Sequence, residues 1–257
     1  MSDAYSHSSV TGQVAVVTGG AQGIGEATAR LLAARGAAGI AIVDRRKDKG
    51  EAVARSLNEA GTRTIFIETD LAIHDQVKRV IPAVDAAFGR IDIVCNIAGL
   101  TDRGTLLDTD LALFDTMFAI NVRAPFFLLQ DAVKIMQREG RGGSIVNISS
   151  VNAHVGGPNL AAYSASKAAI LNLTKNTANA FNMDRIRANV VLPGWVDTPG
   201  EHETLKKFHD APDNWLEAAE KSRPFGKLLL RQTRGVAQPR HACAEPLVPR
   251  RIHLSDG

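Results

Sequence analysis

The chain has 257 residues, 45% hydrophobic and 22% charged, which suits one ordinary globular domain and excludes a disordered, collagenous or disulfide-stapled chain. Cys95 and Cys243 are too few for a framework, no uninterrupted apolar run approaches the roughly 18 residues that span a bilayer, and the opening Met1-Ser2-Asp3 starts no signal sequence, so a cytoplasmic protein without a membrane partner is expected. The net charge of +3 equals that of residues 231–257, where five arginines face Glu245 and Asp256; the rest of the chain is neutral, and nucleic acid is not an expected partner.

Short β-branched runs at 14–17, 40–43, 65–67, 91–94, 144–148 and 188–192 alternate with Ala/Leu/Arg-rich stretches of helix length, among them 26–35 and 111–138, the latter expected to bend at Pro125. Strands apolar on both faces and separated by helices predict an α/β fold: a doubly wound parallel sheet of Rossmann type, single domain, with at least six strands. In such sheets ligands bind beyond the carboxyl ends of the strands, where the strand order reverses.

The first strand runs into Thr18-Gly19-Gly20-Ala21-Gln22-Gly23-Ile24-Gly25 and then a helix. Glycines there let the backbone turn tightly and approach a pyrophosphate seated on the positive helix end; the alternative is a glycine-rich turn with no ligand. The second strand ends at Asp44, nineteen residues past Gly25, where a carboxylate would bond the ribose hydroxyls of an adenosine. Arg45, Arg46 and Lys47 follow and would suit a 2′-phosphate instead. A carboxylate about 4 Å from that phosphate costs about 4 kcal/mol at an effective dielectric of 20, and Gln22 offers it no cation, so NAD is expected over NADP. After the third strand, Asp70-Leu71 either caps a helix or meets the adenine amino group. After the fourth, the small residues of Asn96-Ile97-Ala98-Gly99 admit adenosine near the backbone, while Asn96 is equally placed to tie neighbouring strands. Cys95 reads as a buried small hydrophobe.

The fifth strand enters Ser149-Ser150, and Tyr163 and Lys167 follow at i and i+4, on one helical face. A phenol with a reference pKa near 10 is a poor base at neutral pH, and a neighbouring ammonium lowers it. No His/Cys/acid cluster has metal-ligand spacing, so no metal is expected. His154 and Trp195 lie just beyond these segments, as substrate-pocket walls or as ordinary packing.

Over residues 11–229 the chain resembles the short-chain dehydrogenase/reductase family. Thr18 to Gly25, Asp70, Asn96-Ile97-Ala98-Gly99, Asn121, Ser150, Tyr163, Lys167 and Pro193-Gly194 fall on its motifs in order. The resemblance implies that Ser150 bonds the substrate oxygen, Tyr163 exchanges the proton, Lys167 lowers the tyrosine pKa and holds the nicotinamide ribose, and Asn121 holds a relay water. As a bare residue, Asn121 reads equally as a polar kink residue near Pro125. Pro193, Gly194, Val196 and Thr198 match the segment that binds the nicotinamide carboxamide, and residues 199–223 match a variable substrate lid. Ile97 departs from the usual second Asn of that motif.

The expected activity is reversible NAD-linked oxidation of a secondary alcohol by a homo-oligomer. A polyol or small hydroxy compound suits Asn152 and His154; a hydroxysteroid or 3-oxoacyl thioester is the alternative, and a non-catalytic nucleotide sensor is the alternative of another class. Residues 1–10 read as an extension and 231–257 as an atypical basic tail holding Pro239, Pro246 and Pro249, without the helix and strand that usually end the family. That tail is either a divergent segment or the product of a reading-frame change near codon 230.

Overall fold

In the computed structural model residues 9–221 are described, apart from 210 and 213; the expectations for 1–8 and for the tail lie outside them. Six strands, β1 (Val14–Thr18), β2 (Gly39–Asp44), β3 (Thr64–Glu68), β4 (Ile93–Asn96), β5 (Gly143–Ile148) and β6 (Ile186–Val191), form one sheet in the order β3-β2-β1-β4-β5-β6. Every pairing is parallel. The chain leaves β1 in one direction through β2 and β3, then returns to place β4 on its other side, so the crevice opens where the carboxyl ends of β1 and β4 diverge.

The strands are β-branched because both faces are covered. Along β1, Val14 and Val16 join one apolar cluster while Ala15 and Val17 join the other; Ala41 and Val43 against Ile40 and Ile42 divide β2 in the same way. On the first face lie α3 (His74–Phe88), with Val77, Val80 and Val84, and α5 (Ala124–Glu139), with Leu128, Leu129 and Ala132. On the second lie α1 (Gly23–Ala34), with Ala29 and Leu32, and α2 (Lys47–Glu59), with Val53 and Leu57. Each aliphatic side chain so buried contributes roughly 1.5–3 kcal/mol. The fourth strand starts two residues later than its apolar run; just ahead of it the Asp92 carboxylate accepts the Val14 N–H at 2.8 Å, while the Asp92 backbone N–H donates to the Val14 carbonyl.

The long helical stretch begins as α4 (Leu111–Phe118), which Asp110 caps by accepting the Leu113 N–H, passes through a π-helical turn (Ala119–Arg123) and continues as α5. Pro125 is the physical reason for the turn: it has no N–H to return to the Asn121 carbonyl four residues back. The distortion therefore sits just ahead of the proline, and Asn121 is inside it. By length and composition the rod Leu111–Glu139 is apolar enough to cross a membrane, a point that uninterrupted runs in the sequence do not reveal. Here Leu128, Leu129, Ala132, Val133 and Met136 are spent on the core.

Between β5 and β6 come the one-turn α6 (Asn152–Val155) and the long α7 (Ala161–Ala180); after β6 come α8 (Pro199–His209) and α9 (Trp215–Lys221). The last two pack on each other through Leu205, Trp215 and Ala219.

Candidate active site

A cleft of about 900 Å³ occupies the crevice at the carboxyl ends of the strands. One half is walled by the β1–α1 loop. Gly19 has φ +69°, in the left-handed region, and a Cβ there would lie 2.9 Å from Ala98 Cα; a Cβ on Gly25 would collide with the Gly19 carbonyl oxygen. The Thr18 hydroxyl accepts the N–H groups of Ile97 and Ala98 at 3.0 and 3.2 Å, clamping the β4 exit against the glycine turn. Gln22, Gly23, Ile24, Ala98 and Gly99 line the cleft beside them. The result is a cradle kept free of side chains, opening on the amino end of a 12-residue helix, which fits the pyrophosphate of a dinucleotide.

Asp44 stands at the rim with one oxygen accepting the Ala21 N–H at 3.2 Å and the other the Arg46 N–H at 3.0 Å. These bonds aim the carboxylate into the cleft, which Arg45 also lines, and leave acceptor capacity on both oxygens. Arg46 pairs with Glu203 of α8 at 2.7 Å. Asp70 and Leu71 line the cleft. Asp70 does not cap α3, which begins at His74; its carboxylate accepts the Ala72 N–H at 2.9 Å within its own turn. Asn96 was expected among the cofactor contacts. It does not line the cleft but is buried behind it, donating to Asn147, which in turn donates to Thr174. The amide ladder ties β4, β5 and α7 together.

The reacting end lies where β5 and α7 meet. Tyr163 and Lys167 share one face of α7, and Ser150, from the end of β5, lines the cleft with them, close enough to bear on the Tyr163 phenol. Ser150 is itself held by the Asn152 N–H, and Ser149 by the Lys167 carbonyl at 2.7 Å. Burial pushes the Tyr163 phenol above its usual value, and the neighbouring Ser150 hydroxyl opposes the shift. Lys167 is 4% exposed, donates to the Ile148 carbonyl at 2.9 Å and has its pKa lowered by burial to about 8. Its ammonium lies 5.8 Å from the Tyr163 ring centroid. The expectation that Lys167 depresses the phenol meets a counterweight here, because desolvation dominates at Tyr163.

Asn121 sits behind this group. Its side-chain oxygen accepts the Leu100 N–H at 2.8 Å, and its NH₂ donates to the Leu100 carbonyl and to Ser166. The amide is thereby committed to protein and does not line the cleft. A Cβ on Gly99 would stand 3.2 Å from Lys167 Nζ and 3.4 Å from Asn121 Oδ1, so glycine is what keeps that corner open.

Pro193, Gly194, Trp195, Val196 and Thr198 form the wall opposite. The Thr198 hydroxyl accepts the Glu201 N–H at 3.1 Å, starting α8 directly over the glycine turn. Trp195 stacks on Trp215 at 5.5 Å and donates to Glu201 at 2.8 Å. Asn152 lines the cleft, whereas His154, two residues on, is exposed and outside it. The single turn of α6 rotates the imidazole outward, which removes His154 from the pocket walls. Among the lining residues outside the sequence motifs are Arg103, in the irregular segment after β4, and Glu201, paired with it at 3.2 Å. They are 98 positions apart, and neither belongs to a local pattern.

The short chain dehydrogenase profile matches residues 13–208. A cis-4-hydroxycyclohexanecarboxylate dehydrogenase of Sinomonas cyclohexanicum is 38% identical over 188 residues, 73% of this chain and 74% of that protein. A glucose and ribitol dehydrogenase homologue of Arabidopsis thaliana is 39% identical over 208 residues, 77% and 71% of the two chains. Among solved structures, the L-sorbose reductase of Gluconobacter frateurii, complexed with NADPH and L-sorbose, superposes with a TM-score of 0.82 at 29% identity, covering 90% of this chain and 88% of that one. With the parallel sheet, the glycine cradle and the Ser-Tyr-Lys cluster in their expected order, this chain belongs to the short-chain dehydrogenase family.

Proposed function

We propose that the protein is an NAD-linked dehydrogenase that interconverts a secondary alcohol, a polyol or other small hydroxy compound, and its ketone. The oxidoreductase class follows from the family; the coenzyme and the substrate are the proposed part. The observation that carries the reading is the gathering of Ser150, Tyr163 and the buried Lys167 in the same cleft as the glycine cradle. Gly19, Gly23 and Gly25 would hold the pyrophosphate, Asp44 the adenosine ribose, and Val196 and Thr198 the carboxamide. When bound, the nicotinamide supplies the hydride acceptor or donor.

In the oxidative direction Ser150 holds the substrate oxygen and Tyr163 takes its proton; in reduction Tyr163 returns it. Lys167 supplies positive charge beneath the phenol when protonated, stabilising the phenolate as it forms. The closing wall of Trp195 and α8 excludes water from the reacting carbons. Asp44 supports NAD, since a carboxylate at the rim opposes a 2′-phosphate. Exposed apolar residues along α4 and α5, notably Leu111, Phe114 and Phe126, support self-association.

The test is a panel of secondary alcohols and polyols incubated with the protein and NAD and followed by NADH absorbance. Turnover that requires Tyr163 is expected; no NADH from any member, and no ketone reduced with NADH, would overturn the reading.

A further inference from the structure

We infer that Glu201 is a substrate-specificity residue that accepts a hydrogen bond from a second hydroxyl of the substrate, so that diols and polyols are taken in preference to alcohols with one hydroxyl. The inference rests on the dehydrogenase reading above and narrows it to a substrate class.

Glu201 lines the same cleft as Ser150 and Tyr163, and its side chain is 14% exposed. Both hydrogen bonds that reach the carboxylate, from Arg103 Nη2 at 3.2 Å and from Trp195 Nε1 at 2.8 Å, end on Oε1. Oε2 accepts none from the described residues. A carboxylate offers about four acceptor positions, so an oriented acceptor is presented to whatever enters the cleft. Its orientation is fixed twice over, by the guanidinium and by an indole stacked on Trp215. The carboxylate is near the reacting group, since its charge raises the Tyr163 pKa and that of Arg103 lowers it.

The chemistry of the complementary group follows. A substrate carboxylate is repelled by Glu201, and a substrate ammonium is opposed by Arg103. A neutral hydroxyl donates to Oε2 without disturbing the pair. Beside it the indole of Trp195 gives a flat apolar wall of the kind that covers the C–H face of a ring. A site built to bond a hydroxyl discriminates strongly against the analogue that lacks it, because the acceptor is then left unpaired.

The experiment measures kcat/KM with NAD for cyclohexanol, trans-1,2-cyclohexanediol and cis-4-hydroxycyclohexanecarboxylate, in the unaltered protein and in Glu201→Leu and Glu201→Gln. Binding of each compound to the NAD-loaded protein is followed in parallel by intrinsic fluorescence, since the chain's two tryptophans, Trp195 and Trp215, both pack on this wall. The diol should exceed cyclohexanol about tenfold or more. That ratio should collapse towards one in Glu201→Leu and be partly retained in Glu201→Gln, which keeps an acceptor; if the leucine variant does not fold, the reduced ratio in the glutamine variant decides. A role confined to bracing α8 lowers both substrates together and leaves the ratio unmoved, which would overturn the inference, as would a preference for the carboxylate compound over the diol. If no alcohol is oxidised, the dehydrogenase reading fails separately. In that event diol-dependent quenching that weakens in Glu201→Leu still supports the acceptor, and its absence refutes it.

Discussion

Replacing Lys167 with Met separates what the buried ammonium does for stability from what it does for the reaction. Lys167 is 4% exposed, and burial takes its pKa from 10.5 to about 8. At 1.36 kcal/mol per unit, holding the amine charged in the folded state costs about 3 kcal/mol at pH 7. The unfolded chain binds this proton more tightly, so between about pH 8 and 10.5 it carries more protons than the native state, and stability rises with pH across that window. The penalty is fully present below the folded pKa and is relieved as pH approaches the unfolded one. Between pH 7 and pH 10 the unaltered protein should gain about 2 kcal/mol relative to Lys167→Met, seen as a relative rise of about 1 M in the urea midpoint at m values of 1–3 kcal/mol/M. At pH 7 the variant loses the bond to the Ile148 carbonyl, worth about 1.5–3 kcal/mol, together with the desolvation penalty, so the two proteins should have similar midpoints there. Urea unfolding of both proteins at pH 7, 8.5 and 10 makes the measurement, and subtracting one curve from the other cancels every other titrating group. Parallel pH dependences would show that Lys167 is not held by burial and would refute the reasoning.

Tyr163→Phe keeps the ring and removes the hydroxyl beside Ser150; turnover should fall about 10²–10⁴-fold while NAD still quenches tryptophan fluorescence with little change in Kd. Retention of more than a tenth of the activity would sink the assignment. For Asp44→Ala, steady-state kinetics should show the NAD preference shrinking or inverting, and equal efficiency with NAD and NADP in the unaltered protein would defeat the charge argument. Gly25→Ala drives a methyl into the Gly19 carbonyl; a distortion worth about 1–3 kcal/mol should weaken NAD binding about tenfold or more by fluorescence titration, and unchanged affinity would mean that the turn does not hold the coenzyme.

The strands were legible because a parallel sheet covered on both faces demands continuous β-branched runs, and six of these stand out. The apolar run at 91–94 overruns the start of β4 at Ile93, because Ile91 is a buried core residue ahead of the strand. Pro125 signalled a bend, but only the hydrogen-bond arithmetic of a missing N–H puts the bend at Asn121. The glycine turn, Asp44 and the Tyr163–Lys167 pair were readable because each depends on local spacing at a strand end. Asn96 occupied such a position and yet turns behind the cleft, since its amide is matched to Asn147 on the next strand. His154 likewise lies close to Ser150 in sequence and is carried outward by a single helical turn. Position relative to a strand end thus selects candidates, and only side-chain partners decide between a ligand contact and an internal tie.

Arg103 and Glu201 show why the substrate half was the less legible. Motif reading finds residues whose roles are set by neighbours in sequence, whereas this pair exists because α8 folds back across the segment after β4. The ion pairs along that seam are unequal. Arg46–Glu203 and Lys207–Asp102 have side-chain exposures of 27%/57% and 61%/22%, whereas Arg103–Glu201 has 16%/14%. Exposed pairs contribute about 0–1 kcal/mol and are screened by salt; enclosed ones are costly to break singly, because the partner is left charged and poorly solvated. The two outer pairs therefore do little to hold α8, whereas the inner pair, the Trp195–Trp215 stack and the packing of Leu205 on Trp215 do more. The groups proposed to discriminate among substrates are the same ones that seat α8, so replacing Glu201 is expected to loosen α8 as well as to change specificity.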